Sequence, residues 1–404
     1  MAETRELLIL GGGLVGMTLA LAAARKGMSS HVVDRADPAE LTAEGFDGRA
    51  SAISTASWNL FTHIGLAESL APLGCPIDSI AVTDGMKPGR IDFRPEPHEG
   101  SLGYMFANRV LRLALFEAAR KEPLIAWHAS SEVAERQRGE HGVSATLANG
   151  DVLQARLMVG AEGRRSPTRE DAGLGLARWD YRHRAIITGL EHEKPHGNVA
   201  WEIFYPAGPF ALLPMLDAPD GTHRTALVWT VAEKDAAGVL ALSDRGFIAE
   251  VEKRMHGVLG TIRHAGPRES YPLSFQHTAR ITAQRLALVG DAAHGIHPIA
   301  GQGLNLGLRD VAALVEVLAD GMRLGLDPGD AQLLARYERW RGLDSFSVAL
   351  ATDGLTWLFG VPGKVPSAIR RLGMSAVQRI SPLKRWFMDE ARGVSGNVPN
   401  LLKG

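Results

Sequence analysis

Residues 7–34 read LLILGGGLVGMTLALAAARKGMSSHVVD, and this stretch decides the fold class. Residues 7–10 are a short apolar run of the kind a buried parallel strand makes. Gly11, Gly13 and Gly16 follow in G-x-G-x-x-G spacing. The Ala/Leu-rich segment 14–26 reads as a helix, and Gly27 stands where helices commonly end. A second apolar strand, 31–33, stops at Asp34, 23 positions after Gly11. The residue types match a chemical task. Gly11 suits a tight turn, Gly13 lets backbone approach a pyrophosphate, and Gly16 lets helix pack on strand. A helix N-terminus offers free N–H groups and the positive dipole end to phosphate. Asp34 is placed to accept hydrogen bonds from a ribose, with Arg35 beside it. The whole unit predicts a dinucleotide site.

The same stretch contains an uncharged run of eighteen residues, 7–24. That is long enough to suggest a membrane span. Three consecutive glycines split it into strand and helix, however, and the preceding MAETRE is net acidic where a signal peptide would be basic. A soluble, cytoplasmic protein is expected. The chain of 404 residues has room for two to three domains. Its 45% apolar and 22% charged residues are ordinary for a globular protein, and its formal charge of −1 offers no basic field for nucleic acid. A single cysteine, Cys75, excludes an intrachain disulfide and suits a reducing compartment.

A second glycine-rich stretch, LALVGDAAHGIHPIAGQGLNLGLRD, occupies 286–310. Residues 286–289 read as another buried strand, ended by Gly290 and Asp291. A loop with Pro298 follows, and Gly301, Gln302 and Gly303 open a helix that continues through Leu304, Asn305 and Arg309. A strand-end carboxylate suits sugar or ribityl hydroxyls, and a second helix N-terminus suits an anion. Two such elements at opposite ends of the chain fit one long ligand. His294 and His297 have no accompanying ligand cluster, so no metal site is expected.

The segment 290–310 resembles the second FAD motif of the class A flavoprotein aromatic hydroxylases. HPIAGQGLNLGLRD is most similar to the ubiquinone-biosynthesis hydroxylase family. Other stretches agree: Asp47-Gly48-Arg49-Ala50 followed by Ser54, Asn108-Arg109-Val110-Leu111, AWEIFYPAGPFALLPM at 200–215, ALVWT at 226–230 and Tyr271-Pro272-Leu273. One departure stands out. The family's middle motif usually reads G-A-D-G-x-x-S-x-x-R, and here Glu162 replaces its Asp. Because that motif contacts both FAD and NAD(P)H in the family, the change bears on the reductive half-reaction.

The resemblance implies an α/β protein. A Rossmann-like FAD-binding domain of the p-hydroxybenzoate hydroxylase type would comprise residues 1–75, 100–175 and 275–345. It would be interleaved with a β-sheet substrate domain, 76–99 and 176–274, and followed by C-terminal helices, 346–404. Turns are expected at Gly208-Pro209 and Asp220-Gly221. The cofactor-binding set is Gly11, Gly13, Gly16, Asp34, Arg35, Arg49, Arg109, Glu162, Asp291, Gly301, Gln302, Gly303, Leu304 and Asn305. Pro298, Gly301 and Gly303 would surround the flavin ring, with no side-chain base assigned. The implied reaction is hydroxylation of a polyprenyl phenol with NADPH or NADH and O2, through a flavin C4a-hydroperoxide. Related alternatives are a prenyl-lipid reductase and a soluble phenol hydroxylase. A third, of another class, is a weakly active flavin-binding scaffold. Residues 361–404 hold eight Lys/Arg and two Asp/Glu, with Ile369, Leu372, Ala376, Val377 and Ile380 at helical spacing. Such a basic amphipathic helix suits peripheral contact with the inner membrane or with other quinone-biosynthesis enzymes; the alternative is a helix packed on the FAD domain.

Overall fold

The strand Arg5–Leu10 lies at the centre of a parallel sheet, because residues 7–10 are apolar on both faces and bury completely. The structure is a computed structural model that describes residues 4–44, 48–85, 90–96, 98–295, 302–342 and 380–404. Ser30–Val33 and Ile125–His128 extend the sheet on one side, and Val152–Gly160 and Leu286–Leu288 on the other. All five strands are mutually parallel. Thr282–Ala283 adds an antiparallel edge, and Val143–Leu147 and Val133–Arg138 extend Val152–Gly160 as an antiparallel flap. The helix Leu14–Ala24 is apolar all round, as a helix buried on every side must be. It packs in one core with the long helix Gln302–Arg323. The suspected membrane run is thus a strand and a buried helix. Among the described residues no helix is long and apolar enough to cross a membrane.

A second, nine-stranded sheet draws on residues 79–93 and 176–278, with the short strand His294–Gly295 at one edge. That edge strand comes from inside the second glycine-rich stretch and ties the two sheets together. One face carries Ile186, Ile203, Phe210, Leu212, Leu227 and Trp229. These pack under the helices Glu233–Leu240 and Asp244–Met255 through Ala236, Phe247, Val251 and Met255. The opposite face turns toward the nucleotide-binding side. There Ala200, Leu213 and Met215 meet Cys75 and Met105 of a small three-stranded sheet made by Ala50–Ser54, Gly103–Ala107 and Cys75–Pro76.

The expected turn at Gly208-Pro209 is corrected. The reversal falls on residues 206–207, and Gly208 opens the strand Gly208–Met215, paired with Tyr205. Gly208 is needed there because its φ is +121° and a Cβ would lie 2.5 Å from Thr230 Cγ2. Asp220-Gly221 does turn, with Gly221 N–H donating to Ala218 O.

Of the C-terminal segment, residues 361–379 lie outside the described residues, and with them most of the proposed basic stripe. The part beyond 380 forms the helix Ser381–Arg392 and a final turn at Asn400–Leu402. Leu401 and Leu402 are buried in the main core, and Asn59 Nδ2 donates to Leu402 O. The chain's end is therefore built into the nucleotide-binding half.

Candidate functional site

The first glycine turn is shaped by close approaches. Gly11 has φ +104°, and a Cβ there would fall 2.4 Å from Ala161 O. A Cβ on Gly16 would fall 1.8 Å from Gly11 O, so only glycine lets the helix sit on the turn. Gly13 differs: it is exposed, and a Cβ there would meet nothing within 4 Å. It precedes the helix Leu14–Ala24, which has no side-chain cap and no acidic residue in its first turn. Uncapped N–H groups and the dipole end therefore face open space beside the one glycine that packing does not explain, a cradle suited to a pyrophosphate.

Asp34 stands at the end of Ser30–Val33. Its Oδ2 accepts from Gly12 N–H at 2.6 Å and its Oδ1 from Ala36 N–H at 2.8 Å. The carboxylate braces the glycine loop, and each oxygen keeps a further lone pair able to accept from a hydroxyl. Arg35, next to it, is exposed.

The structure brings the second glycine-rich stretch to the same place. Val15, in the first turn of the first helix, lies 3.3 Å from a Cβ placed on Gly290 and 2.9 Å from one placed on Gly307. A chain separation of some 280 residues closes into one site through glycines at the crossing. Gly290 N–H donates to Asp310 Oδ2 at 2.9 Å, which sets the strand end against the long helix. Asp291 follows in a 3-10 turn, its Oδ2 3.6 Å from Arg164 Nε. Its side chain is 45% exposed, yet burial pushes its pKa up, partly offset by Arg164 and His294. The carboxyl is crowded by protein and still open on one side, so a ligand can reach it. Gln302, Gly303 and Leu304 form the first turn of the long helix, and Gly303 faces open space. Pro298 and Gly301 lie outside the described residues, as does His297.

Four further expected cofactor residues have protein partners. Asn305 is buried; its Oδ1 accepts from Ser54 N–H at 2.9 Å and its Nδ2 donates to Ala52 O at 2.8 Å. Glu162 accepts from Ser166 Oγ at 2.6 Å and Thr168 N–H at 3.2 Å, and pairs with Arg136 at 3.3 Å. Its Oε2 thus serves the start of the helix Pro167–Asp171, while its Oε1 takes Arg136 from the antiparallel flap. Arg109 Nε donates to the Thr42 and Ala43 carbonyls. Arg49 pairs with Glu269 on the nine-stranded sheet at 3.1 Å. These side chains hold loops and sheets in register around the site.

Sequence reasoning missed the buried group under the second motif. Asp310 accepts from Arg341 Nε at 2.6 Å and lies 2.8 Å from His294 Nε2. Desolvation would raise the Asp310 pKa, but His294 and Arg341 outweigh it and hold the carboxyl below its ordinary value. The Asp310 signal was present in the motif itself; Arg341, 31 residues on, carried none. His294, weighed above as half of a metal pair, instead lies against the Asp310 carboxylate. Among the described residues no cluster suits a metal ion.

Fold and site together define a flavoprotein of the class A monooxygenase type. Residues 4–344 match the family model described as "FAD binding domain". The chain is 46% identical over its whole length to the ubiquinone hydroxylase UbiL of Rhodospirillum rubrum, covering 93% of that protein. It is 32% identical to the 3-demethoxyubiquinol 3-hydroxylase of Escherichia coli, over 97% of this chain and 99% of that one. In fold it resembles p-nitrophenol 4-monooxygenase PnpA of Pseudomonas putida, with a TM-score of 0.80, 18% identity, and coverage of 98% of this chain and 100% of that one. The chain belongs to the FAD-dependent ubiquinone-biosynthesis hydroxylase family.

Proposed function

We propose that this enzyme hydroxylates the aromatic ring of a polyprenyl phenol, taking electrons from NADH or NADPH and one oxygen atom from O2. The observation that carries the reading is the agreement of a whole-chain relationship to a ubiquinone hydroxylase with a site built on two glycine cradles. Gly11, Gly13 and Gly16 with the first helix would hold the pyrophosphate, Asp34 a ribose, and Asp291 with the 302–304 turn the flavin end. Bound there, FAD supplies hydride acceptance and oxygen activation. The protein's own part is to bind, orient and exclude water. The inner face of the nine-stranded sheet supports this, since Ile187, Val228 and Ala211 lie side by side across three strands as an apolar floor. A phenol activates its own ring, so no nucleophile is required.

The substrate's tail belongs in a bilayer, and contact with a membrane surface is part of the proposal. The helix Ser381–Arg392 supports it. Trp386 is 49% exposed, as is Ile380 just before the helix, and Lys384 and Arg385 lie between them. Contact with other quinone-biosynthesis enzymes fits the same surface. The test is turnover of a short-chain prenyl phenol under 18-oxygen gas, read by mass spectrometry. One labelled oxygen in the product and NAD(P)H consumption are expected. Unlabelled product, or none from FAD-loaded protein, would remove the assignment.

A further inference from the structure

The nine-stranded sheet carries a carboxyl group that the site as described does not use. Glu202 lies in the strand Val199–Tyr205. Its neighbours Trp201, Ile203 and Tyr205 point into the core beneath the two helices of the sheet's outer face. Side chains alternate along a strand, so Glu202 and Ala200 point the other way. Ala200 packs against Cys75 and Met105 on the nucleotide-binding side. Glu202 therefore faces inward, toward the FAD-binding half.

Register places it more closely. Directly paired residues share a face. Glu269 pairs with Ile187, Ile187 with Val228, Val228 with Ala211, and Ala211 with Glu202. This single row crosses five strands. One end is Glu269, the partner of Arg49, whose loop passes close to Ile187 at Gly48, where an added Cβ would come within 3.8 Å of the Ile187 side chain. The other end is Glu202, about 19 Å away at four strand spacings. Between the two carboxyls the row is entirely apolar. On Glu202's far side Val82 continues it, with Asp84 two residues along the same face.

Glu202 is 8% exposed, and no described residue forms a hydrogen bond or ion pair with its carboxyl. Desolvation alone acts on it and pushes its pKa up to about 8. A buried carboxyl without a partner costs stability, and one that persists on a binding face points to a ligand that satisfies it. The uncharged acid can both donate and accept a hydrogen bond.

We propose that Glu202 is the polar anchor of the substrate pocket and hydrogen-bonds the ring hydroxyl of the aromatic substrate. The apolar row beside it then bears the ring and the start of the tail. The inference rests on the substrate class proposed above and adds the group that orients the ring.

The test uses FAD-loaded enzyme without NAD(P)H. Flavin fluorescence reports binding of a short-chain prenyl phenol and of the matching prenyl benzene, which lacks the hydroxyl. Wild type should prefer the phenol by about tenfold or more, the worth of one buried hydrogen bond. Glu202→Leu should lose that preference, binding the phenol as weakly as the benzene, with FAD content unchanged. Glu202→Gln, which keeps a donor and an acceptor, should retain most of it. If the Leu variant fails to hold FAD, Glu202→Met makes the same comparison at closer volume. Retained preference in the Leu or Met variant overturns the inference, and so does equal weakening of both ligands. Wild type that binds FAD but neither ligand refutes the substrate class itself, a separate result that removes the inference with it.

Discussion

Arg341 Nε lies 2.6 Å from Asp310 Oδ1, and both side chains are buried. The same aspartate takes Gly290 N–H and faces His294, so one carboxylate joins the strand end, the edge strand and two helices beneath the second glycine motif. Removing one member of a buried pair strands the other charge, at about 3–5 kcal/mol. Asp310→Ala should lose stability on that order, read by urea denaturation, and with it FAD. The pH dependence has a fixed sign. The folded Asp310 pKa is lowered, so its contribution is complete above the unfolded value of about 3.9. It is lost as pH falls through the folded value. Wild type should therefore lose stability in acid more steeply than the variant.

The contrast between this cluster and the glycine turn explains what sequence could reveal. Gly11, Gly13, Gly16 and Asp34 lie within 24 residues, and their spacing alone encodes the strand, turn, helix and strand. The Asp310–Arg341 pair depends on two helices folding side by side, which no local pattern records. Asn305 and Glu162 were legible as motif residues, but a motif does not say whether a side chain faces ligand or frame. Glu202 sat within a quoted strand segment without signal, because its face and row emerge only once five strands are in register.

Gly13 and Gly16 should separate binding from folding. Gly16→Ala drives a Cβ into Gly11 O, and the cost should be on the order of 3 kcal/mol, with little soluble protein. Gly13→Ala has φ −70° and open space, so the fold should lose no more than about 1 kcal/mol. Its FAD affinity should nevertheless fall by about tenfold or more, since the new methyl stands where phosphate must approach. Thermal melts and flavin titration read the two effects independently.

Glu162→Ala tests the unusual middle motif. The substitution removes the acceptor for Ser166 Oγ and Thr168 N–H and leaves Arg136 with Asp171 alone. A loss of about 1–2 kcal/mol is expected, the scale of a helix cap. Glu162→Asp, the residue usual in the family, should recover only part of it, because the surroundings fit the longer side chain. FAD content should change little in either variant; full loss of flavin with normal stability would assign Glu162 to the cofactor instead.

Arg49 and Glu269 are each about half exposed, so their ion pair should contribute no more than about 1 kcal/mol. A double-mutant cycle with Arg49→Ala and Glu269→Ala should show that small coupling. If Arg49 also reaches FAD, Arg49→Ala alone should weaken flavin binding while Glu269→Ala leaves it intact. Equal flavin affinity in both variants would make Arg49 a tether between loop and sheet.

The last prediction concerns the tail. An apolar row that runs from Ile187 through Val228 and Ala211 to Glu202 can hold a ring, but binding energy for a polyprenyl phenol must come largely from buried tail carbons. Each buried CH2 is worth about 0.8 kcal/mol, or roughly fourfold in affinity. Free 4-hydroxybenzoate should therefore be a poor substrate, and KM should fall steeply with the first isoprene unit. The gain should flatten once further units lie outside the protein. Binding energy used to seat the ring should also raise kcat with tail length, since orientation is part of the barrier. Steady-state kinetics across a series of tail lengths, with hydrogen peroxide measured alongside product, gives the answer. Longer tails should lower the fraction of NAD(P)H lost to peroxide as water is excluded from the site. Equal turnover of tailed and untailed phenols, with equal peroxide release, would mean that the enzyme selects the ring alone.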